Sequence, residues 1–294
     1  MINITIFTAT YNRGDLLHVL YKSLLQQSFK NFEWIIYDDG SEDNTEEVVK
    51  NFIKDSILDI KYIKGENRGK HICINRGSDI AKGELFFIVD SDDYLLPDAI
   101  KLVKEAWDSI ADKKNYSGVG ARKTIGERSK PFNFIEKYFD CNQNEFSLKY
   151  KNIQDKAEVY KTELLRKYKF PEFKGENFIT EAVVWYKFDE EGYKMRWFNE
   201  DIYVCEYLED GLSKNFYKKR IDNINGTCEA YNILSDYSLP SKYKFRYKIN
   251  YFRYGFTKFS YKELKNKLKD KNKALISAII GYFFMVKDKI TIKK

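Results

Sequence analysis

Short apolar runs alternate with stretches of helical periodicity through the first hundred residues. Ile2, Ile4 and Ile6 alternate with Asn3 and Thr5, the period-two pattern of a strand, and their β-branching favours the same state. Leu16, Leu17, Val19, Leu20, Leu24 and Leu25 recur at helical spacing, which predicts a helix over 15–27. Phe32–Tyr37 reads as a second strand, ending at Asp38-Asp39-Gly40-Ser41. Asn44 with Glu47 three positions on has the form of a capping pair. It precedes a helix whose buried stripe is Val48, Val49, Phe52 and Ile53. A third strand is expected at Asp59–Ile63, and a helix over 70–81 closed by Lys82-Gly83. Glu84–Val89 is a fourth strand, apolar enough for burial on both faces. Pro97 suits a first helical turn, so 98–110 is expected to be helical.

Strand and helix alternating in this way predict βαβ units and a parallel sheet. From 115 to 175 the pattern weakens, with polar residues mixed with aromatics, and a hairpin and an acceptor-side loop are expected. Residues 177–189 read as helix, 193–207 as extended chain, and the sequence beyond 216 as helices rich in Tyr, Phe and Lys. No internal repeat or low-complexity segment interrupts the chain.

Composition narrows the class. The 294 residues can bury a sizeable core without a disulfide or metal staple. With 22 Phe and 23 Tyr the chain is too aromatic to be disordered, and 4 Pro and 15 Gly exclude collagen-like and linker-rich proteins. Cys73, Cys141, Cys205 and Cys228 lie far apart, which argues against a zinc or CxxC redox site. No charged-then-apolar segment opens the sequence, so a cytoplasmic protein with reduced thiols is expected.

The net charge of +7 hides an asymmetry. Residues 241–294 hold 16 Lys and Arg against 3 Asp and Glu, while the first 240 hold 35 against 41. A blocky basic tail is a surface for anions, either membrane phosphates or nucleic acid. Within it, Ala274–Val286 is an apolar run of 13 residues. As a helix it would span roughly 20 Å, against the roughly 30 Å of a hydrocarbon core. It is too short to cross a membrane, and either lies on one or packs in the core.

Ligands of parallel α/β sheets bind outside the carboxyl ends of the strands. Three polar clusters fall there: Thr8-Ala9-Thr10-Tyr11-Asn12-Arg13, Asp38-Asp39-Gly40-Ser41 and Asp90-Ser91-Asp92-Asp93. Three carboxylates in four residues repel one another unless a cation neutralises them. One or two carboxylates with phosphate oxygens suit Mg²⁺ or Mn²⁺. The alternative is a solvated turn that caps the next helix.

TATYNR at 8–13, DDGSEDNT at 38–45, NRGK at 67–70 and AKGELFFIVDSDD at 81–93 form an ordered set. With it the chain resembles glycosyltransferase family 2, of the GT-A fold. The motifs cover about residues 2–98, and weaker similarity continues to about 213. The resemblance implies a Rossmann-like, mixed but mainly parallel sheet flanked by helices, followed here by a helical basic extension. It implies a GT-A domain over 1–215, with a nucleotide-binding half at 1–98 and an acceptor half at 99–215, then a C-terminal region at 216–294. It also implies a nucleotide-sugar donor, usually a UDP-sugar, and a divalent metal, Mn²⁺ or Mg²⁺.

Carried over by motif, Tyr11 would stack on the base, and Thr8, Ala9 and Arg13 would line the nucleotide pocket. Asp39 would accept from the base imide, while Asp38 orients the loop. Arg68 and Lys70 would offset the diphosphate. Asp90, with Ser91 beside it, would face the ribose or the metal, Asp92 would be the main metal ligand, and Asp93 would contact the sugar or cap the helix. His71 is expected as a partly exposed residue at a helix start and His18 on a helix face.

Inversion at the anomeric carbon needs a carboxylate to take the acceptor's proton. In GENFITEAVVWYKF at 175–188 the resemblance places that base at Glu181, with Glu176 the runner-up. Where the family has Asp this chain has Glu. The processive QxxRW motif is incomplete: Arg196-Trp197 is present, but Tyr193 stands at the Gln position. That points to addition of a single sugar. Glu206–Ser213 occupies the place of a flexible loop near the diphosphate.

The leading expectation is an inverting, metal-dependent transferase acting on a glycan acceptor, lipid-linked, for capsule, O-antigen or similar polysaccharide. The basic segment 241–294 would attach it peripherally to the anionic inner face of the membrane. One rival is a nucleotide-sugar-binding protein without activity. The other is a nucleic-acid-binding protein using the basic, aromatic tail. The acidic first part and its carboxylate rim suit a nucleotide with a metal better than a nucleic acid.

Overall fold

A computed structural model describes residues 3–126, 130–205 and 216–292. They fall into two compact units, 3–169 with 191–205, and 170–190 with 216–292. The expected loop at Glu206–Ser213 lies outside the described residues.

The first unit opens with β1 (Ile4–Thr10), α1 (Leu17–Leu25), β2 (Phe32–Asp38), α2 (Thr45–Asp55), β3 (Ile60–Lys64), α3 (Lys70–Ile80) and β4 (Leu85–Ile88). β5 (Asp93–Leu95), α4 (Ala99–Asp108), β6 (Tyr116–Ile125), β7 (Phe139–Cys141), β8 (Lys156–Lys161) and α5 (Thr162–Lys167) follow, and β9 (Lys194–Cys205) completes it. Among the described residues the strands form one sheet in the order β3-β2-β1-β4-β8-β6-β9-β5, with β7 also on β9. β3, β2, β1 and β4 are parallel. β8 runs antiparallel to both β4 and β6, and β9 is parallel to β6. The sheet is therefore mixed and mainly parallel in its first half, as expected of a GT-A fold.

Burial explains the arrangement. Leu85, Phe86 and Phe87 of β4 are buried, as a central parallel strand with two covered faces requires. Below the sheet Tyr21 of α1 stacks on Phe52 of α2 with ring centroids 4.1 Å apart, and both lie near Trp34 of β2. β1 runs three residues beyond its apolar alternation because Thr8–Thr10 continues to pair with Ile36–Asp38.

Two local expectations are corrected. Asn44 does not cap α2 with its side chain but donates to Asp15 Oδ1 at 3.0 Å. Asp43 caps instead, its Oδ1 accepting from Thr45 N at 3.0 Å. His71 is buried rather than partly exposed. His18 does lie on its helix face, edge-on to Phe52 at 5.1 Å.

The second unit holds α6 (Ala182–Glu190), α7 (Phe216–Asp222), α8 (Ile224–Asp236), α9 (Ser241–Gly255), α10 (Tyr261–Lys267) and α11 (Ala274–Ile292). α8, α9 and α11 pack around Tyr231, Tyr251, Phe252 and Tyr254. Tyr231 and Tyr254 stack with a 2° interplanar angle. α6 starts five residues later than its periodicity suggested. Asn223 Oδ1 accepts from Asn177 N and Phe178 N, which ties the segment before α6 to the start of α8.

Candidate active site

The three polar clusters sit together at the carboxyl ends of β1, β2 and β4, stitched by side-chain-to-backbone bonds. Asn12 adopts a left-handed conformation at φ 51°. Its N–H donates to Ser41 Oγ at 2.9 Å, and its Oδ1 accepts from Glu42 N at 2.8 Å. This turn leaves Tyr11 exposed at the rim. Asp38 is wholly buried, with Oδ1 accepting from Ser41 N at 2.7 Å and Oδ2 from the Tyr62 hydroxyl. It orients the loop.

Asp39 is also buried, and it clamps the turn before α3. Its Oδ1 accepts from Arg68 N and its Oδ2 from Gly69 N, both at 2.8 Å. Burial pushes its carboxyl above the ordinary range, and the two backbone N–H groups pull the other way. Each carboxylate oxygen has a second lone pair, so Asp39 retains acceptor capacity. Gly40 lets β2 turn so tightly against this segment. Its φ is +88°, and a Cβ there would meet Asn67 N at 3.0 Å and Gly65 O at 3.2 Å.

At the acidic rim each aspartate meets a cation. Lys70 Nζ lies 2.7 Å from Asp90 Oδ1, and Arg13 Nη1 lies 2.8 Å from Asp92 Oδ2. Lys123 Nζ of β6 lies 3.3 Å from Asp93 Oδ2. Burial opposes the charge on Asp90, but Lys70, Lys123 and Arg13 outweigh it and hold its pKa below the ordinary value. Asp93 differs. Burial dominates and raises its pKa, with Lys123 and Tyr203 opposing and the neighbouring Asp90 and Asp92 adding to the rise.

Lys123 and Tyr203 were missed in the sequence. The Tyr203 hydroxyl donates to Asp93 Oδ2 at 2.7 Å and accepts from Asp90 N at 2.9 Å. It therefore fixes both ends of the acidic turn. Lys123 Nζ stands 4.2 Å from the centroid of the Tyr203 ring. Lys123 faces Tyr203 across β6 and β9, and Asp93 faces Cys205 across β5 and β9. Lys123 stands between Arg122 and Thr124 in the polar half of β6, so no local signal marked it.

One predicted rim residue is engaged inside the fold. Thr8 is buried, and its hydroxyl accepts from Trp34 Nε1 at 3.0 Å inside the fold rather than standing at the rim. Ser91 is likewise buried, while Ala9 and Arg68 are half-buried. Arg196 forms a two-pronged pair with Asp140, and Trp197 stacks on Phe146 at 3.9 Å, so the RW pair here braces β7 and β9.

Asp90 and Asp92 offer hard oxygen donors at a partly exposed rim, the type suited to Mg²⁺ or Mn²⁺. Among the described residues no group of three or more His, Cys, Asp or Glu side chains could hold a metal by itself. The donor set thus fits a cation that takes one or two carboxylates and fills its shell with substrate phosphate oxygens and water.

Glu176 and Glu181 belong to the second unit. Glu176 caps α8: its Oε1 accepts from Asn225 N at 2.9 Å and from Asn225 Nδ2 at 2.7 Å, and its Oε2 from Gly226 N at 2.7 Å. Glu181 opens α6, its carbonyl accepting from Val184 N and Trp185 N. A carboxylate there is favoured by the helix dipole.

A sequence model of the family described as glycosyl transferase family 2 matches residues 5–167. The chain is 34% identical over 148 residues to a GalNAc(5)-diNAcBac-PP-undecaprenol beta-1,3-glucosyltransferase of Campylobacter jejuni subsp. jejuni serotype O:2, covering 45% of this chain and 48% of that one. It is 40% identical over 94 residues to the UDP-Glc:alpha-D-GlcNAc-diphosphoundecaprenol beta-1,3-glucosyltransferase WfaP of Escherichia coli, covering 31% and 36%. The matches thus span less than half the length of these relatives. Among solved structures, S. aureus TarS 1–349 in complex with UDP-GlcNAc aligns with a TM-score of 0.65 at 20% identity, over 95% of this chain and 79% of that chain. The mannosyltransferase PcManGT of Pyrobaculum calidifontis, with GDP-Man and Mn²⁺, aligns at 0.54 and 16% identity, over 98% and 88%. At such identities the likeness is one of fold.

Proposed function

The chain belongs to glycosyl transferase family 2, and on that premise we propose that it moves one sugar, with inversion, from a UDP-sugar to a hydroxyl of a lipid-linked glycan. The product would be a cell-surface polysaccharide or its precursor, assembled at the cytoplasmic side of the membrane. The observation that carries the reading is the rim where Asp90, Asp92 and Asp93 each meet Lys70, Arg13 or Lys123. Carboxylates for a cation and cations for a diphosphate stand together there, at the strand ends where a nucleotide binds in such sheets. The relatives' names, which specify UDP-Glc and undecaprenol-diphosphate acceptors, support the donor and acceptor classes.

In this reading Tyr11 stacks on the base and Asp39 accepts from its imide. Asp92, with Asp90, holds Mn²⁺ or Mg²⁺. The cation, when bound, offsets charge on the departing diphosphate. Arg13 and Lys70, which pair with Asp92 and Asp90, would be the side chains that meet phosphate oxygens once those carboxylates hold a cation. Glu181, assigned by its place in the sequence, takes the proton as the acceptor oxygen attacks the anomeric carbon. The bond from that carbon to the diphosphate breaks, and the nucleoside diphosphate leaves with the electron pair. Glu176, already bound by three N–H groups at the start of α8, is the weaker candidate for base.

The test is a thermal-shift screen with UDP, GDP, CDP and dTDP, each with and without Mn²⁺. A ligand at one hundred times its dissociation constant adds about 2.7 kcal/mol of stability. A Mn²⁺-dependent rise with UDP, followed by release of UDP from UDP-sugars, is the expected result. A chain that no nucleotide stabilises would overturn the assignment.

A further inference from the structure

α11 is turned inside out for a helix bathed in water. The face it packs on α9 is built of small residues: Ala274, Ser277, Ala278 and Gly281 are buried, with Met285 following. Gly281 lies so close to α9 that a Cβ there would meet Ile249 O at 2.8 Å and Arg253 N at 2.9 Å. The large apolar side chains face away. Leu275, Ile276, Ile279, Tyr282 and Phe283 are 61%, 53%, 52%, 53% and 70% exposed. At about 100° per residue these five fall within an arc of about 120°. Burying small residues while exposing large ones wastes the hydrophobic effect unless something apolar covers the arc.

Charge indicates what covers it. On the same helical wheel Lys287 and Lys289 fall just outside the two edges of the apolar arc, and both are exposed. Lys271 and Lys273, also exposed, precede the helix. Its single acid, Asp288, is bound by Arg253 through both oxygens, at 2.6 and 2.7 Å. The outer arc is therefore apolar at its centre and cationic at its margins, on a segment, 241–294, where basic residues outnumber acidic ones 16 to 3. No helix of the described residues is long and apolar enough to cross a membrane.

We propose that this face docks on an anionic lipid bilayer, with α11 lying in the plane of the interface. The arc Leu275, Ile276, Ile279, Tyr282 and Phe283 enters the boundary between headgroups and acyl chains, and the flanking lysines meet lipid phosphates. The close contact at Gly281 holds the helix rigidly to α9, so the arc is presented as a fixed face. The inference stands apart from sugar transfer, because it is read without substrate.

The experiment is sedimentation of the full chain with vesicles of phosphatidylcholine, with and without phosphatidylglycerol. The wild type should co-sediment with the phosphatidylglycerol vesicles, and less so as salt rises above about 0.1 M. Ile279→Gln with Phe283→Gln should weaken that binding about tenfold or more, since each ring or branched chain loses its transfer into lipid. Lys287→Gln with Lys289→Gln should weaken it about tenfold and flatten the salt dependence. Circular dichroism should show both variants folded, because every changed side chain is exposed. Three results would each overturn the proposal: a wild type that stays in the supernatant, a glutamine variant that binds as the wild type does, or a wild type whose apolar arc is consumed in a dimer that the Ile279→Gln/Phe283→Gln variant dissolves.

Discussion

Replacing Lys123 by Met removes the cation from the most enclosed carboxylate of the rim. The Lys123 and Asp93 side chains are 16% and 7% exposed, so water can do little to replace the lost partner. Breaking a buried pair from one side costs about 3–5 kcal/mol. The Tyr203 hydroxyl still donates to Asp93 at 2.7 Å, so the expected loss is at the low end, about 3 kcal/mol near pH 7.5. The pH dependence follows from direction. Burial already raises the Asp93 pKa in the folded protein, and losing Lys123 raises it further. A folded acid with a raised pKa binds more protons than the unfolded chain, so stability falls as pH rises from the unfolded value, about 3.9, through the folded one. The deficit of Lys123→Met should therefore be full at pH 7.5 and shrink toward pH 5. Adding Asp93→Asn should restore part of it, because the amide still accepts from Tyr203 and carries no charge, while Asp90, which also draws on Lys123, keeps the remainder. Urea unfolding followed by tryptophan fluorescence reads the effect, since Trp34, Trp107 and Trp197 all lie in the first unit. A variant within about 0.5 kcal/mol of the wild type, or one that Asp93→Asn does not rescue, would refute the electrostatic reasoning.

Other outcomes follow from the same geometry. Asp92→Asn should abolish the Mn²⁺-dependent stabilisation by UDP, as should removal of the cation with EDTA, and isothermal titration reads both. Glu181→Gln should lower kcat by about 10²–10⁴ with little change in donor affinity, measured as UDP released from the donor in the presence of acceptor. Glu176→Gln should instead cost about 1–3 kcal/mol of stability, because its carboxylate caps α8, and chemical denaturation separates the two roles. Gly281→Leu should detach α11 from α9 and lower the melting temperature, since even a Cβ collides there.

The first hundred residues were legible because each of their elements carries its own local pattern. β1, β2 and β4 are apolar runs, α1 and α2 show helical stripes, and the polar clusters fall where those patterns stop. The elements that were missed are short or held from far away. β5 has three residues, and it pairs with β9 more than a hundred positions later. Separations of 30 and 110 positions hid the partnership of Lys123 and Tyr203 with Asp93, since neither the lysine nor the tyrosine stands out in its own stretch. Thr8 read as a rim residue because its place in the chain was right, while the indole that claims its hydroxyl lies on another strand. The segment before α6 is held by Asn223, 46 positions beyond Asn177. Glu176 looked free for chemistry for the same reason, since the helix it caps begins 48 positions later.

The bond from Tyr203 to Asp93 closes a span of 110 positions, and that span is also an interval of time. At translation rates of about 5–20 residues per second, roughly 5–20 seconds separate the synthesis of the acidic turn from that of the tyrosine that pins it. β1 to β4 can pair during that interval, because all of them precede the turn. A nascent chain therefore carries a nearly finished parallel sheet whose three clustered aspartates lack both Lys123 and Tyr203 at first, and Tyr203 until the end. The Tyr203 contact is made when β9 adds to β6 and β5, so a chain truncated before residue 203 would keep the parallel strands β1 to β4 and lose the tyrosine that pins their acidic turn.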